Sequence, residues 1–395
     1  MSGGRLPISA IAPQPFDRLR ANGFNQRSPK KILLINTRRI GDVLLTTPLI
    51  RSLRRAWPEA VIDVLVFAST AGILASNPDI DQVITVAERP DWRGHLRLLR
   101  RIWRRYDLAL STLTGDRPTL YAWAAAKHSA GLVEEGSKHD WKRRLLSQSA
   151  PFDNVHTHTV LMNLKLADLL GIPRCHELVS AWSEQDAQSV AAMLPFDPMQ
   201  TEYAVLHTYP MFAYKTWHRA GWIELARWLA ARGLRVVLVG GKQPDEMAYV
   251  DALLPQLPPD TINTTGRLSL GAVAYLLSRA QVYVGTDTSV THIAAGLGVP
   301  TVALYGPSNP VKWGPWPKGY ERDTNPYRMR GSQTVNNVTL LQGSGDCVPC
   351  MQEGCERHVN SLSACLQQMP ADLVIAAVEQ QLLTKAGGID TAVPG

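Results

Sequence analysis

The chain is poor in cysteine, with 5 in 395 residues, and poor in phenylalanine, with 6. So few cysteines exclude a scaffold built on disulfides. No stretch reaches the roughly 18 uncharged apolar residues that a membrane-crossing helix requires. Residues 1–31 have no continuous apolar centre, their few apolar side chains being scattered among Gly, Pro, Gln, Asn and Arg, so a secretory signal is not expected. That predicts a cytoplasmic protein with a flexible extension over residues 1–30. Internal repeats and low-complexity tracts are missing too, which sets aside solenoid arrays.

What is present is a patterned chain, 45% hydrophobic and too long for one ordinary domain. Apolar β-branched runs predict strands at 32–35, 61–67, 82–86 and 108–111, then at 203–207, 236–239, 261–263, 282–284 and 302–304. Helical spacing fills the gaps, at 43–56, 71–75, 95–105 and 119–127, then at 221–232, 246–254, 270–278 and 290–297. Such alternation argues for parallel sheets with helices on both faces. The Pro-bearing stretch Met193-Leu-Pro-Phe-Asp-Pro-Met-Gln200 reads as the break between two α/β halves. The expected division is an N-terminal domain over 31–193, a linker over 194–200, a C-terminal domain over 201–370, a helix over 371–386 and a tail over 387–395.

Chemistry concentrates at two turns. In Val284-Gly-Thr-Asp-Thr-Ser-Val-Thr-His292 a strand gives way to a helix whose start is rich in hydroxyls and carries a carboxylate. A helix N-terminus offers free N–H groups and partial positive charge, so this turn suits a phosphorylated ligand. Asp287 and Thr288 could equally serve as plain helix caps. In Lys31-Ile-Leu-Leu-Ile-Asn-Thr-Arg-Arg-Ile-Gly-Asp42 a buried strand is followed by a polar loop that closes on an acid. Open α/β sheets bind ligands at that place, although an Asp before an apolar helix is also a common cap.

Together, in this order and separation, the two segments resemble glycosyltransferase family 9, the ADP-heptose lipopolysaccharide heptosyltransferases, over roughly residues 31–383. The Arg38-Arg39-Ile-Gly-Asp42 loop and the Leu44-Leu-Thr-Thr-Pro48 run look most like the branch called heptosyltransferase III. The resemblance implies the GT-B architecture, two Rossmann-like domains facing across a cleft. It also implies inverting, metal-independent transfer of heptose from ADP-heptose to a lipopolysaccharide inner-core acceptor, with no cofactor. Asp42 becomes the expected base. His207-Thr-Tyr-Pro-Met-Phe-Ala-Tyr-Lys-Thr-Trp217 resembles the donor loop, which assigns Thr208 and Lys215 to the diphosphate. Asp287, Thr288, Ser289 and His292 match the Asp-Thr-Gly-x-x-His pattern, with Ser289 in place of the more usual Gly. Glu246 falls where the family has an acid near the adenosine ribose, Asp245 being the competing choice. The Asp-x-Asp at Asp79 and Asp81 follows Asn77-Pro78 and reads as a turn, not a metal site. His156 and His158 make a weak ligand pair.

Charge is uneven. Residues 1–199 hold 26 Lys and Arg against 19 Asp and Glu, while residues 200–395 hold 15 of each. Arg93, Arg97, Arg100, Arg101, Arg104 and Arg105 crowd around apolar neighbours, with Lys138, Lys142, Arg143 and Arg144 as a second cluster. Such runs are usually solvated faces. The functional alternative is contact with the cytoplasmic leaflet of the inner membrane or with an acidic acceptor, with Arg38, Arg39, Arg97, Arg101 and Arg104 as candidates. Cys347, Cys350, Cys355 and Cys365 cluster near His358 and raise the possibility of a structural zinc, against unligated thiols in a loop. A different nucleotide sugar or acceptor on the same fold is the alternative enzyme. A basic zinc-bearing nucleic-acid binder is a remote one, disfavoured because residues 340–370 hold one Arg and three acids.

Overall fold

The structure, a computed structural model, describes residues 28–386. Most of the expected N-terminal extension and the tail lie outside the described residues. Two parallel sheets carry the fold. The first contains β1 (Lys31–Asn36), β2 (Val61–Phe67), β3 (Gln82–Val86), β4 (Tyr106–Ser111), β5 (Ala126–Val133) and β6 (Gln148–Pro151), in the order β3-β2-β1-β4-β5-β6. The second contains β7 (Tyr203–His207), β8 (Arg235–Leu238), β9 (Ile262–Asn263), β10 (Val282–Thr286), β11 (Thr301–Tyr305), β12 (Gln333–Val335) and β13 (Val338–Gln342). Its order is β12-β13-β11-β10-β7-β8-β9, and only the β12–β13 pair is antiparallel. Read from β9, the second sheet repeats the order of the first and adds one strand. Both are doubly wound Rossmann-like sheets, as expected, and in each the strand order reverses beside the first strand of the half, where ligands bind.

The helices of the first half are α1 (Ile40–Leu44), α2 (Thr47–Ala56), α3 (Trp92–Ile102), α4 (Asp116–Ala125), α5 (Asp140–Leu145), α6 (Thr159–Leu170) and α7 (Glu184–Met193). Those of the second are α8 (Arg219–Ala231), α9 (Pro244–Leu253), α10 (Leu270–Arg279), α11 (Ser289–Leu297), α12 (Pro310–Trp313), α13 (Ala364–Gln367) and α14 (Ala371–Ala386). The helix expected over 43–56 starts three residues earlier and is split. Pro48 has no N–H to continue the ladder, and the hydroxyls of Thr46 and Thr47 donate instead to the carbonyls of Val43 and Leu44, at 2.6 and 2.8 Å. The helix expected over 119–127 stops at Ala125, and the chain enters β5, a strand absent from the expectation.

Core packing follows the pattern of apolar faces. β1 and β2 are buried on both sides, as parallel strands sandwiched by helices must be. One apolar cluster joins the halves: Leu45, Leu49 and Leu53 of the first are continuous with Ala272, Val290 and Ile293 of the second. Helix α7, which precedes the expected linker, packs on α10, and the Ser269 hydroxyl donates to Asp186 at its start. Trp217 is fully buried against Trp222, and its indole N–H donates to the Met369 carbonyl at 2.9 Å. Burying one such ring contributes about 2–3 kcal/mol. This anchor fixes the C-terminal end of the loop that carries Lys215.

Candidate active site

The first wall of the site begins where β1 ends. Asp42 sits in the first turn of α1 and is 8% exposed; the N-cap residue is Arg39, and the Asp42 carboxylate accepts a hydrogen bond from the Arg39 backbone, so it also helps to close the start of the helix. Burial raises its pKa, and the charges of Arg38, Arg39 and Lys312 pull in the opposite direction without cancelling that rise. Arg38 lies 3.5 Å from the carboxylate. The result is a carboxylate with raised proton affinity at the edge of a cavity of about 510 Å³, lined also by Asn36, Thr112, Asn163, Lys312 and Trp313. Asn36 donates to the Thr112 hydroxyl at 3.0 Å and to the Asp42 carbonyl at 3.3 Å, while its own side-chain oxygen is buried without a partner. That pairing ties the loop after β4 to α1.

The second wall is built from the ends of β7 and β10. Lys215, on a single 3₁₀ turn, reaches the Asp287 carboxylate at 2.5 Å. Asp287 also accepts from Ser308 at 2.7 Å and from Tyr305 at 3.3 Å. Burial would raise its pKa, but Lys215, His292 and the Ser308 bond outweigh burial and hold it low. Lys215 is thus held by an ion pair, and Asp287 anchors that lysine. Beside this pair runs a second chain of contacts. Glu246 meets His207 at 3.1 Å, His207 meets the Thr288 hydroxyl at 2.9 Å, and Thr288 meets Thr291 at 3.3 Å. Glu246 is buried under Gly240, where an added Cβ would lie 2.4 Å from its oxygen, whereas the competing Asp245 is exposed. Thr208 and Thr286 have buried hydroxyls with no partner, and so does Nδ1 of His292. Unpaired buried donors and acceptors are costly, and together they mark a place for a polar ligand. His292 has its pKa lowered to about 4, chiefly by burial and despite Asp287, so it is neutral near pH 7 and has one N–H to offer. Ser289 opens α11 half-buried.

The walls touch. A Cβ on Gly41 would lie 3.6 Å from the His292 ring, the Arg39 guanidinium stacks over Phe212 at 4.6 Å, and Arg38 approaches Trp313 at 5.9 Å. Arg38 and Arg39, expected at an acceptor or membrane surface, therefore bridge the two halves. Arg97 and Arg101 are exposed on α3 as expected. Arg104 is less free than its neighbours, since it donates to the Ala126 carbonyl and stacks on Trp103 and Trp123. Asp79 and Asp81 are engaged by Arg51 and Arg54, at 2.8 and 2.6 Å, which agrees with a turn. His158 caps α6 and contacts the Gly314 carbonyl, and burial lowers its pKa to about 3.

Among the described residues, no group of three or more His, Cys, Asp or Glu side chains is disposed to hold a metal. Cys347, Cys350, Cys355 and Cys365 all carry free thiols. Cys365 packs against Gly306, and its pKa is raised to about 11 by burial and by the neighbouring cysteines.

Residues 95–334 match the family model of glycosyltransferase family 9 (heptosyltransferase). The chain belongs to glycosyltransferase family 9. Relatives of this family 9 chain include lipopolysaccharide heptosyltransferase 3 of Escherichia coli K12, 26% identical over 89% of this chain and 97% of that one. Lipopolysaccharide heptosyltransferase 1 of Pseudomonas aeruginosa is 28% identical over 82% and 87%. Among solved structures, a family 9 glycosyl transferase from Veillonella parvula superposes with a TM-score of 0.73 at 22% identity, over 90% of this chain and 97% of that one. ADP-heptose heptosyltransferase II of E. coli gives 0.69 at 20% identity, over 90% and 99%. These likenesses establish the GT-B fold and a glycosyltransferase. Within this family 9 site, sequence reading missed His207, Tyr305, Ser308 and Lys312. Ser308 follows a strand in Gly306-Pro-Ser308 and could have been found, whereas nothing local marks Lys312.

Proposed function

We propose that this chain transfers heptose from ADP-heptose to a sugar of the lipopolysaccharide inner core, with inversion at the anomeric carbon and without a divalent metal. The observation that carries the reading is the junction of α1 and α11, which brings a buried carboxylate with raised proton affinity to the same cleft as a lysine held at a helix N-terminus. In this reading the acceptor hydroxyl lies in the cavity beside Asp42, which takes its proton as the oxygen attacks. The bond between the anomeric carbon and the diphosphate oxygen breaks with its electron pair on ADP. Lys215, the Thr208 hydroxyl and the free N–H groups of α11 stabilise that charge. Lys215 and the helix dipole stand where other sugar transferases use a cation. The Asp-x-Asp is occupied by arginines.

Asp42→Asn should abolish turnover and leave ADP binding nearly intact, because an amide cannot accept the proton. Loss of a positioned base costs about 10² to 10⁴ in rate. A variant that keeps more than a tenth of the wild-type kcat at saturating substrates would sink the assignment.

We also place the chain at the cytoplasmic face of the inner membrane as a peripheral protein. No helix among the described residues is long and apolar enough to cross a membrane. Support for surface contact comes from Trp92, Trp103 and Trp141, which are 68, 51 and 40% exposed on or beside α3 and α5, in the company of Arg93, Arg97, Arg100 and Arg101. Tryptophan with arginine suits the interface of an anionic bilayer.

A further inference from the structure

We infer that Lys312 forms an anion-binding site in the cavity beside Asp42, recognising a phosphomonoester or a carboxylate on the acceptor sugar. The inference rests on the reading of that cavity as the acceptor site. Lys312 belongs to the second half of the chain, on the short helix α12 after β11, yet it lines a cavity whose other walls come mainly from the first half. Its placement is built rather than incidental. Asn309 caps α12 through the backbone N–H groups of Val311 and Lys312, at 2.9 and 3.2 Å, and its side-chain amide donates across to the Val155 carbonyl at 2.8 Å. The Lys312 carbonyl accepts from the Thr159 hydroxyl at 3.0 Å.

The ammonium itself is under-satisfied. Lys312 is 2% exposed, and its Nζ donates to one carbonyl, that of Asp153, at 3.0 Å, while lying 4.4 Å from the Phe152 ring centroid. An ammonium has three N–H donors. No carboxylate lies within ion-pair distance of it among the described residues: Asp153 spends its oxygens on the N–H groups of Val155 and His156 and on Thr157. The titratable and charged groups that face Lys312 are Asp153 from the loop after β6, Arg38 and Asp42 from the start of α1, the neutral His158 at the start of α6 and Lys165 in its body. A buried cation is normally paired. Here the missing partner has a cavity of about 510 Å³ in which to sit, and Arg38 at its mouth adds a second positive group. Burial lowers the Lys312 pKa to about 8, so the cation is present at neutral pH and fades above it.

The site also links the halves: an anion held by Lys312 lies between elements of both sheets.

The test uses the full chain and two readouts. Sulfate keeps a constant charge from pH 7 to 9.5, and its affinity can be followed by calorimetry on the unliganded protein. Binding should weaken by about tenfold per pH unit above 8 in the wild type, and should be lost in Lys312→Met and partly restored in Lys312→Arg. In steady-state assays Lys312→Met should raise the acceptor KM tenfold or more and leave the donor KM unchanged. Inorganic phosphate and acetate, each tried as a competitor of the acceptor, separate the two sources: the stronger competitor names the group that is read. Sulfate binding that is flat across this pH range, or a wild-type acceptor KM in Lys312→Met, overturns the inference. Should Lys312→Met fail to fold, the pH series on the wild type decides alone. Because sulfate binding requires no turnover, its failure is distinct from failure of the Asp42 assignment, which the Asp42→Asn rate reports.

Discussion

The two walls of the cleft share one topology and differ in how they use polar groups. On the second wall nearly every charge is already committed: Lys215 to Asp287, Asp287 to Ser308 and Tyr305, Glu246 to His207, His207 to Thr288. On the first wall Asp42 and Arg38, with Lys312 reaching in from the second half, surround open space, with one long ion pair of 3.5 Å among them. A network satisfied before the ligand arrives has its geometry fixed in advance, which suits a ligand whose shape is constant, as a nucleotide diphosphate is. An open cavity with few committed charges suits a partner that varies. The comparison teaches that one doubly wound sheet can serve either purpose, depending on whether its switch point is filled with mutual partners.

The comparison breaks most sharply at Lys215. Lys215→Met removes the cation and leaves Asp287 buried without its principal partner, so ADP affinity should fall by about 10- to 100-fold while the acceptor KM stays within twofold. Isothermal titration with ADP measures the first quantity and initial rates the second. Equal losses on both sides would mean that the walls are not independent. A smaller effect lies outside the cleft. Arg97→Gln with Arg101→Gln should weaken binding to anionic liposomes by about 5-fold for each charge removed, and leave ADP affinity unchanged. Arg104 is left in place in that pair because it holds the start of β5. Wild-type sedimentation of the double variant at low salt would return α3 to a solvated face.

The smallest effect sharpens the contrast through pH. As the proposed base, Asp42 would have to be ionised, and burial raises its pKa, so kcat/KM should rise with pH through a point above the usual carboxylate range. Arg38 stabilises the ionised form. Arg38→Met should therefore move that acid limb to higher pH, costing several-fold in rate at mildly acidic pH and little at pH 8. An acid limb that does not move would mean that Arg38 serves the contact with Trp313 rather than the base.

Much of this was legible in the sequence, for identifiable reasons. β2, β3 and β7 coincide with their expected bounds because β-branched runs between turn residues leave little choice. Strand β5 was hidden. Its stretch from Ala126 to Gly131 holds Ala, Lys, His, Ser and Gly, with no β-branched residue before Val133, and it is a strand because β4 and β6 pair with it on either side. Asp42, Lys215 and Asp287 stood out because each follows a strand in a motif. The pairing of Lys215 with Asp287 lies 72 residues apart in the chain, and no local pattern encodes it. Lys312 was invisible for a stronger reason, since what makes it unusual is a buried ammonium with no carboxylate within ion-pair distance among the described residues.

The sheet edges have a consequence of another kind. Along most of their borders these two sheets offer little for a stray strand to pair with. β6 is four residues long and ends in Pro151, β9 has two residues, and β12 is a three-residue strand that turns back antiparallel through Asn336 in the left-handed region. Parallel sheets assemble from contacts distant in sequence and are slow to complete, so unfinished chains spend longer with their borders exposed. Short, proline-blocked or reversed margins deny those intermediates a template for one another. For a cell that makes this protein in quantity, that is protection against clumping before the cleft exists at all.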